Sequence, residues 1–506
     1  MKKTLGANKR SSSTSGLKSA SGNANSKPES CRIRMYRHGL GDCFLLSFAK
    51  EKGGFFQVLI DCGLIGVATD PKKTMTAVVR NVAQATAGHL DLVVLTHEHW
   101  DHVSGLSEHQ AQAVFEKSIA VDRVWYGWTE DKNNKLGQKL RQERESKARA
   151  VHRAAKALGG VSGNRIASLL TFFGIENAIT DPLAANGEKT IGKVRKAFDY
   201  LAGRKGIEIS YCHPTDKPRA LPGVAGLLVY VLGPPESESL IKRSDPTVLG
   251  KEVYEIAPGS SIEDNLLAAF ARFAQDGADV PKDGRDCPFD SYLQRQPTES
   301  SALQKLVADT WDQPNDCYRR IENDWMNAAE SLALALDKHT NNTSLVLAFE
   351  FTESGKVLLF AADAQVGNWL SWQNLSWKIR QGNEERTVTG PDLLSRTVLY
   401  KVGHHGSHNA TLRDKGLEQM VSAELIALVP VNKQQAQKNR WMEMPFNNLI
   451  ARLQEKTRGR VIQSDSEVSA PGDSQLQRIS DKERRAFQRA LKTDRQGLYY
   501  DLELSI

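Results

Sequence analysis

The sequence predicts an α/β sandwich, sheets covered by helices, on three observations. Short β-rich runs recur along the chain, many of them continuously apolar, as strands buried on both faces are. Two long helix-like insertions separate groups of these runs, at about 130–200 and 236–340. The 506 residues, 40% hydrophobic and 25% charged, have globular composition and suffice for one elaborated catalytic domain or two to three ordinary ones. No run approaches the roughly 18 consecutive apolar residues of a membrane span, so no membrane partner is expected.

Residues 1–30 hold Lys2, Lys3, Lys9, Arg10, Lys18 and Lys27 against Glu29, which accounts for five of the seven net positive charges of the chain. Rich in Ser, Gly and Asn, with no apolar stretch after the lysine pair, they read as a disordered basic tail and not a secretory signal. Residues 31–506 then read as one domain. Strands are expected at Arg32 to Tyr36, Cys43 to Phe48, Phe55 to Asp61, Leu90 to Leu95 and Arg123 to Tyr126. The first insertion opens on a basic helix, Lys132 to Lys156, whose nine Lys/Arg face only Glu143 and Glu145; it is either a solvated face or a phosphate contact. Leu227 to Leu232 precedes the second insertion. Beyond it, strands are expected at Ser344 to Glu350, Lys356 to Ala361, Thr397 to Val402, Leu425 to Val429, Arg460 to Gln463 and Leu498 to Leu504. A second basic stretch, Arg478 to Arg495, sets seven Lys/Arg against Asp481, Glu483 and Asp494. The six cysteines include no C-x-x-C pair and read as small hydrophobes in a reducing cytoplasm.

The chemistry concentrates where the apolar run from Leu92 ends in His97-Glu-His99-Trp-Asp101-His102. Neutral imidazole and carboxylate are ligands for zinc, and also for manganese or iron. The i, i+2 spacing of His97 and His99 points both side chains the same way from an extended segment, and a turn carries Asp101 and His102 to the other side. Two ligand pairs aimed at two adjacent divalent ions are the arrangement that activates water and clamps both oxygens of a displacement.

These residues resemble the HxHxDH motif of the metallo-β-lactamase superfamily. The resemblance extends through Tyr36-Arg-His-Gly-Leu-Gly-Asp42-Cys-Phe-Leu-Leu46, Leu59-Ile-Asp61-Cys-Gly63, Asn341-Asn-Thr-Ser-Leu-Val-Leu347, Leu358-Leu-Phe-Ala-Ala-Asp363 and Lys401-Val-Gly-His404-His405-Gly-Ser407-His408. In that order they are similar to the nuclease-like domain of ComEC-type competence proteins and its soluble free-standing relatives, over about residues 31–505 without the insertions. The resemblance implies an αββα metallo-β-lactamase sandwich with two helical insertions. It implies two ions, zinc or manganese, bridged by Asp363. Asp101 and His102 complete the second site with His404 or His405, while His97 and His99 share the first. Asp61 would orient the ligand loop by hydrogen bonding, Asp42 would lie beside the metals, and Lys401, Ser407 and His408 would bind a substrate phosphate or protonate a leaving group. The family's third histidine of the first site has no counterpart: His109, His152, His213 and His339 lack its setting. The Gly-His-Pro of the ComEC domain is replaced by Met442-Glu-Met-Pro-Phe446.

The expected activity is hydrolysis by a metal-dependent enzyme. The HHGS run and the two basic stretches point to a nuclease or phosphodiesterase acting on nucleic acid, DNA first, with RNA and small phosphodiesters open. A small-molecule hydrolase would use the insertions as a lid, and an interaction module would use them to hold a protein partner.

Overall fold

The computed structural model describes residues 30–65, 70–158, 192–243, 300–310, 336–381, 384–438, 444–466 and 478–505, with Ile166, Leu170, Trp441 and Leu476 as isolated positions. The tail expected over 1–30 lies outside the described residues but for Ser30, as do much of both insertions and the cysteines at 287 and 317.

Among the described residues nineteen strands, numbered β1 to β19 in chain order, build two large mixed sheets. The first has the order β18 (Leu491–Thr493), β19 (Tyr499–Ser505), β1 (Ser30–Tyr36), β2 (Phe44–Ala49), β3 (Phe55–Ile60), β5 (Leu92–Leu95), β7 (Arg123–Gly127), β8 (Glu208–Cys212). The second has the order β17 (Val461–Gln463), β16 (Ile426–Val429), β15 (Thr397–Lys401), β12 (Val357–Phe360), β11 (Val346–Phe351), β10 (Leu227–Gly233), β9 (Arg219–Ala220). A hairpin of β13 (Ser376–Gln381) and β14 (Glu384–Thr389) and a pair of β4 (His89–Leu90) with β6 (Ala120–Val121) complete the set. All twelve runs expected from the sequence are strands. The fold is α/β.

The continuous apolarity of the runs follows from their side-chain alternation between two cores. Phe44, Leu46 and Phe48, with Phe56, Val58 and Ile60, pack against Leu347, Phe349, Leu358 and Phe360 of the other sheet. The Phe48 and Phe349 rings stack at 5.4 Å, and Phe44 meets Phe360 edge-on at 5.7 Å. The alternate residues Leu45, Leu59, Val93 and Leu95 turn outward into a second core with helical residues such as Val78, Val82 and Phe115. The helix Pro71–Ala85 illustrates why these segments are helical: Asp70 caps it by accepting from the Lys73 amide, Pro71 opens it, and Met75, Val78, Val79 and Val82 share its buried face.

β3, β5, β7 and β8 are mutually parallel, as are β12, β15, β16 and β17. Asp61 follows β3, His97 follows β5, Asp363 follows β12 and His404 follows β15, so residues distant in sequence meet at the carboxyl ends of both parallel sets. No helix of the described residues is long and apolar enough to cross a membrane.

Candidate metal centre

His97, His99, Asp101, His102, Asp363 and His405 are all fully buried at that edge. One ligand atom from each of His97, His102 and Asp363 lies within 4.8 Å of the others, and the same holds for Asp101, Asp363 and His405. Asp363 belongs to both groups, the position of a bridging carboxylate. His97 Nε2 and His99 Nδ1 stand 3.0 Å apart. Two nitrogens each about 2.0–2.1 Å from one tetrahedral zinc stand roughly 3.3 Å apart, so this pair is set for a shared ion. Imidazoles and carboxylates so grouped could hold divalent metal.

Asp61 accepts from the Thr96 amide at 2.9 Å, the Thr96 hydroxyl at 2.7 Å and His102 Nδ1 at 2.7 Å. This turns His102 Nε2 onto Asp363 Oδ2, 3.1 Å away. His405 donates Nδ1–H to the Pro430 carbonyl at 2.6 Å and directs Nε2 to Asp101 Oδ2 at 3.0 Å. Of the two adjacent histidines, His405 is thus the one facing Asp101. The His404 ring contacts Ser407 Oγ through Nδ1 at 2.9 Å, while Ser407 donates to Asn409 at 3.2 Å. The Gln365 side-chain nitrogen lies 3.5 Å from the same His404 Nδ1. Asp61, Ala362, His404 and His405 all adopt left-handed backbone (φ 56°, 48°, 41° and 52°), a strain costing on the order of 1–3 kcal/mol each that concentrates at functional sites.

Lys401 has a different task from the phosphate or leaving-group contact expected of it. Its ammonium is 1% exposed, pairs with Asp42, donates to the Ala362 carbonyl at 2.9 Å and lies 3.5 Å from Asp363 Oδ1. In this structure its donors are turned onto two carboxylates and a backbone carbonyl. Ser407 is committed to His404 in the same way. His408 alone of these three is half-buried at the rim, its ring edge-on to Phe446. Trp100 packs into the core.

Sequence reasoning gave no role to Ser344, Thr96 or Glu98. Ser344 Oγ accepts from the Asp363 amide at 3.2 Å and lies 3.3 Å from His97 Nδ1, so the Asn341-to-Ser344 run ties the two halves of the centre. Glu98, between the two histidines, is gripped by Arg144 and by Arg195 at 2.7 Å; Arg195 also holds the buried Glu130 at 2.8 Å. Arg141 donates to the Thr129 and Asp131 carbonyls. Of the basic helix Lys135–Leu158, Arg144 thus braces the loop of His97 to His102 through Glu98 and Arg141 ties the helix to the turn at Thr129 and Asp131, both arginines bonding within the chain. Arg144→Gln is expected to cost about 1–3 kcal/mol, read as a lower Tm, with no change in the salt dependence of any DNA binding. A salt slope lowered by roughly 0.9 with an unchanged melt would put Arg144 on a phosphate instead.

The second basic stretch lies elsewhere. Its helix, Asp481–Ala490, packs through Phe487 and Ala490 into a hollow shared with Lys356, Val398, Ile426 and Arg460, at the amino ends of β12, β15, β16 and β17. That is the edge opposite the metal centre.

Burial pushes the His97 imidazole far down, His99 to about 3 and His404 to about 4, so these rings are neutral and ready to ligate across the physiological range. Burial acts the same way on His102, but the carboxylates of Asp363, Asp101 and Asp61 outweigh it and hold that ring well above its usual value. His405 is raised too, by Asp101 and Asp363 against its burial. Because a ligating imidazole must be neutral, metal entering the stripped protein should expel protons near neutral pH, and affinity should fall as pH falls. Calorimetric titration with zinc in two buffers of different ionisation enthalpy measures the number released; zero would refute a binding role for His102 and His405.

No family model matches the chain, and comparison with curated proteins finds no match.

Proposed function

We propose that the chain is a metal-dependent hydrolase of the metallo-β-lactamase superfamily, an αββα sandwich with two helical insertions, whose centre of two divalent ions cleaves phosphodiesters of DNA. The observation that carries this reading is the convergence of His97, Asp101, His102, Asp363 and His405, buried at one edge with their ligand atoms grouped around Asp363, and of His99 against His97. Two ions held there, zinc or manganese, would supply Lewis acidity and lower the pKa of water toward neutrality. Asp61 and Pro430 fix the rings of His102 and His405, Ser344 fixes Asp363, and Lys401 offsets the carboxylate charge. His404, 7% exposed, stands beside them with its ring neutral. The phosphodiester class rests on the resemblance of Lys401 to His408 to the HHGS branch.

A second reading, a small-molecule hydrolase, is favoured by two observations. No residue of the centre is more than 7% exposed, and Arg141 and Arg144, two of the nine cations of the basic helix, are bonded internally. The test is metal analysis of the purified protein, then assays with manganese or zinc on plasmid DNA, bis-p-nitrophenyl phosphate and a lactone and thioester panel. Plasmid nicking supports the nuclease; turnover of the small phosphodiester alone narrows it to a closed phosphodiesterase; lactone or thioester turnover alone selects the second reading. Metal-free protein inactive on all refutes both.

A further inference from the structure

The second insertion ends in a helical segment, 336–341, that brings one more carboxylate to the metal centre. Asp337 is 7% exposed. Its Oδ2 accepts from the Asn341 side-chain amide at 3.3 Å, while its Oδ1, shielded from solvent, has no hydrogen-bond partner and lies 3.6 Å from His99 Nε2. The other nitrogen of that ring, Nδ1, faces His97.

The placement is built in. Thr340 bonds back to the Leu336 carbonyl, Thr343 caps onto the Thr340 carbonyl, and the Leu345 amide donates to the Thr96 carbonyl, directly before His97. A buried acceptor left unpaired costs on the order of 1–3 kcal/mol, so an oxygen aimed at a ligand ring calls for a partner. A histidine that binds metal through one nitrogen carries its proton on the other, and a carboxylate accepting that proton fixes tautomer and ring angle and raises ligand basicity. With Nδ1 directed at the ion, the His99 proton sits on Nε2, toward Asp337.

Resting on the hydrolase reading above, we infer that Asp337 is a positioning residue of the first metal site, accepting the Nε2–H of His99 and so compensating for the absent third histidine. It acts through His99 and is not itself a ligand, because it stands at the ring nitrogen turned away from the ion. The end of the second insertion, from position 336, thereby contributes to metal affinity.

The test uses the full chain, stripped of metal and titrated with cobalt(II) against a competing chelator. Wild type should take up two ions. Asp337→Ala should weaken the first-site ion by about 10–100-fold and leave the second unchanged. Asp337→Asn, whose amide oxygen still accepts Nε2–H, should retain most of the affinity; it carries the test if the alanine variant fails to fold. The cobalt ligand-field bands of both loaded variants should match wild type, because the ligands are the same. Equal loss in both variants with altered bands would make Asp337 a direct ligand and overturn the inference. Unaltered cobalt affinity in Asp337→Ala would also overturn it. Wild type that binds no cobalt would instead overturn the hydrolase reading, and this inference with it.

Discussion

Asp363→Ala should empty the centre: bound metal falls from about two ions per chain to below about one, and hydrolysis drops to background. Asp363 is the sole carboxylate in both ligand groups, and every contact it makes serves the centre. It accepts from His102 Nε2 at 3.1 Å, from the His404 amide at 3.0 Å and from Lys401. Burial opposes its charge, but His102, Lys401 and His404 more than offset this and hold the carboxyl well below its usual range, so it stays anionic. Without it, two cations would share the neutral rings of the first site and the single carboxylate of Asp101. The fold should survive, because Lys401 keeps Asp42 and His102 keeps Asp61. Asp363→Asn, which preserves shape while losing the charge, should lose metal to a similar degree, separating an electrostatic from a packing effect. Elemental analysis beside the hydrolysis assay decides it; full metal and activity in Asp363→Ala would refute a two-ion centre.

The largest stability effect is expected at Lys401. Burial works against its ammonium, yet Asp42 and Asp363 hold it above its ordinary value, so it is charged in the fold. Lys401→Met leaves Asp42, 2% exposed, without its close ammonium partner, the His102 ring 3.9 Å away being the nearest remaining cation. Removing one partner of a buried pair costs about 3–5 kcal/mol. In metal-stripped protein that should appear as a Tm lower by roughly 5–10 °C. The double variant Asp42→Asn/Lys401→Met should recover part of the loss, whereas Lys401→Arg should not, since a planar guanidinium does not fit the ammonium's site. A wild-type melt for Lys401→Met, with substrate binding alone impaired, would return Lys401 to the phosphate-contact role.

Two buried cores make both faces of a strand apolar, which is why twelve strands were legible as unbroken apolar runs. The strands that sequence reasoning missed have another pattern. β8 and β18 include exposed polar residues such as Glu208 and Lys492, β9 carries the half-buried Arg219, and the β13–β14 hairpin lies outside both sheets. Edge positions need only one covered face, so their identity depends on which neighbour they pair with. The basic helix shows the same limit for charge. Its nine cations were visible, but that Arg141 and Arg144 would point inward to Thr129 and Glu98 was not.

By itself the sequence determined the ligand loop, because His97, His99, Asp101 and His102 fall within six residues at a strand end, where local spacing alone brings them together. It also singled out Asp61, Asp363 and the His404–His405 pair as strand-end residues. Only the tertiary structure decided which histidine of that pair turns to Asp101, that Lys401 neutralises Asp42, and that Ser344, Glu98 and Asp337 attend the loop. These contacts join residues such as His102 and Asp363, 261 positions apart, whose meeting depends on the register and stacking of two sheets. No local periodicity encodes that registry, since it is set by the packing of Phe44, Phe48, Phe349 and Phe360 across the shared core.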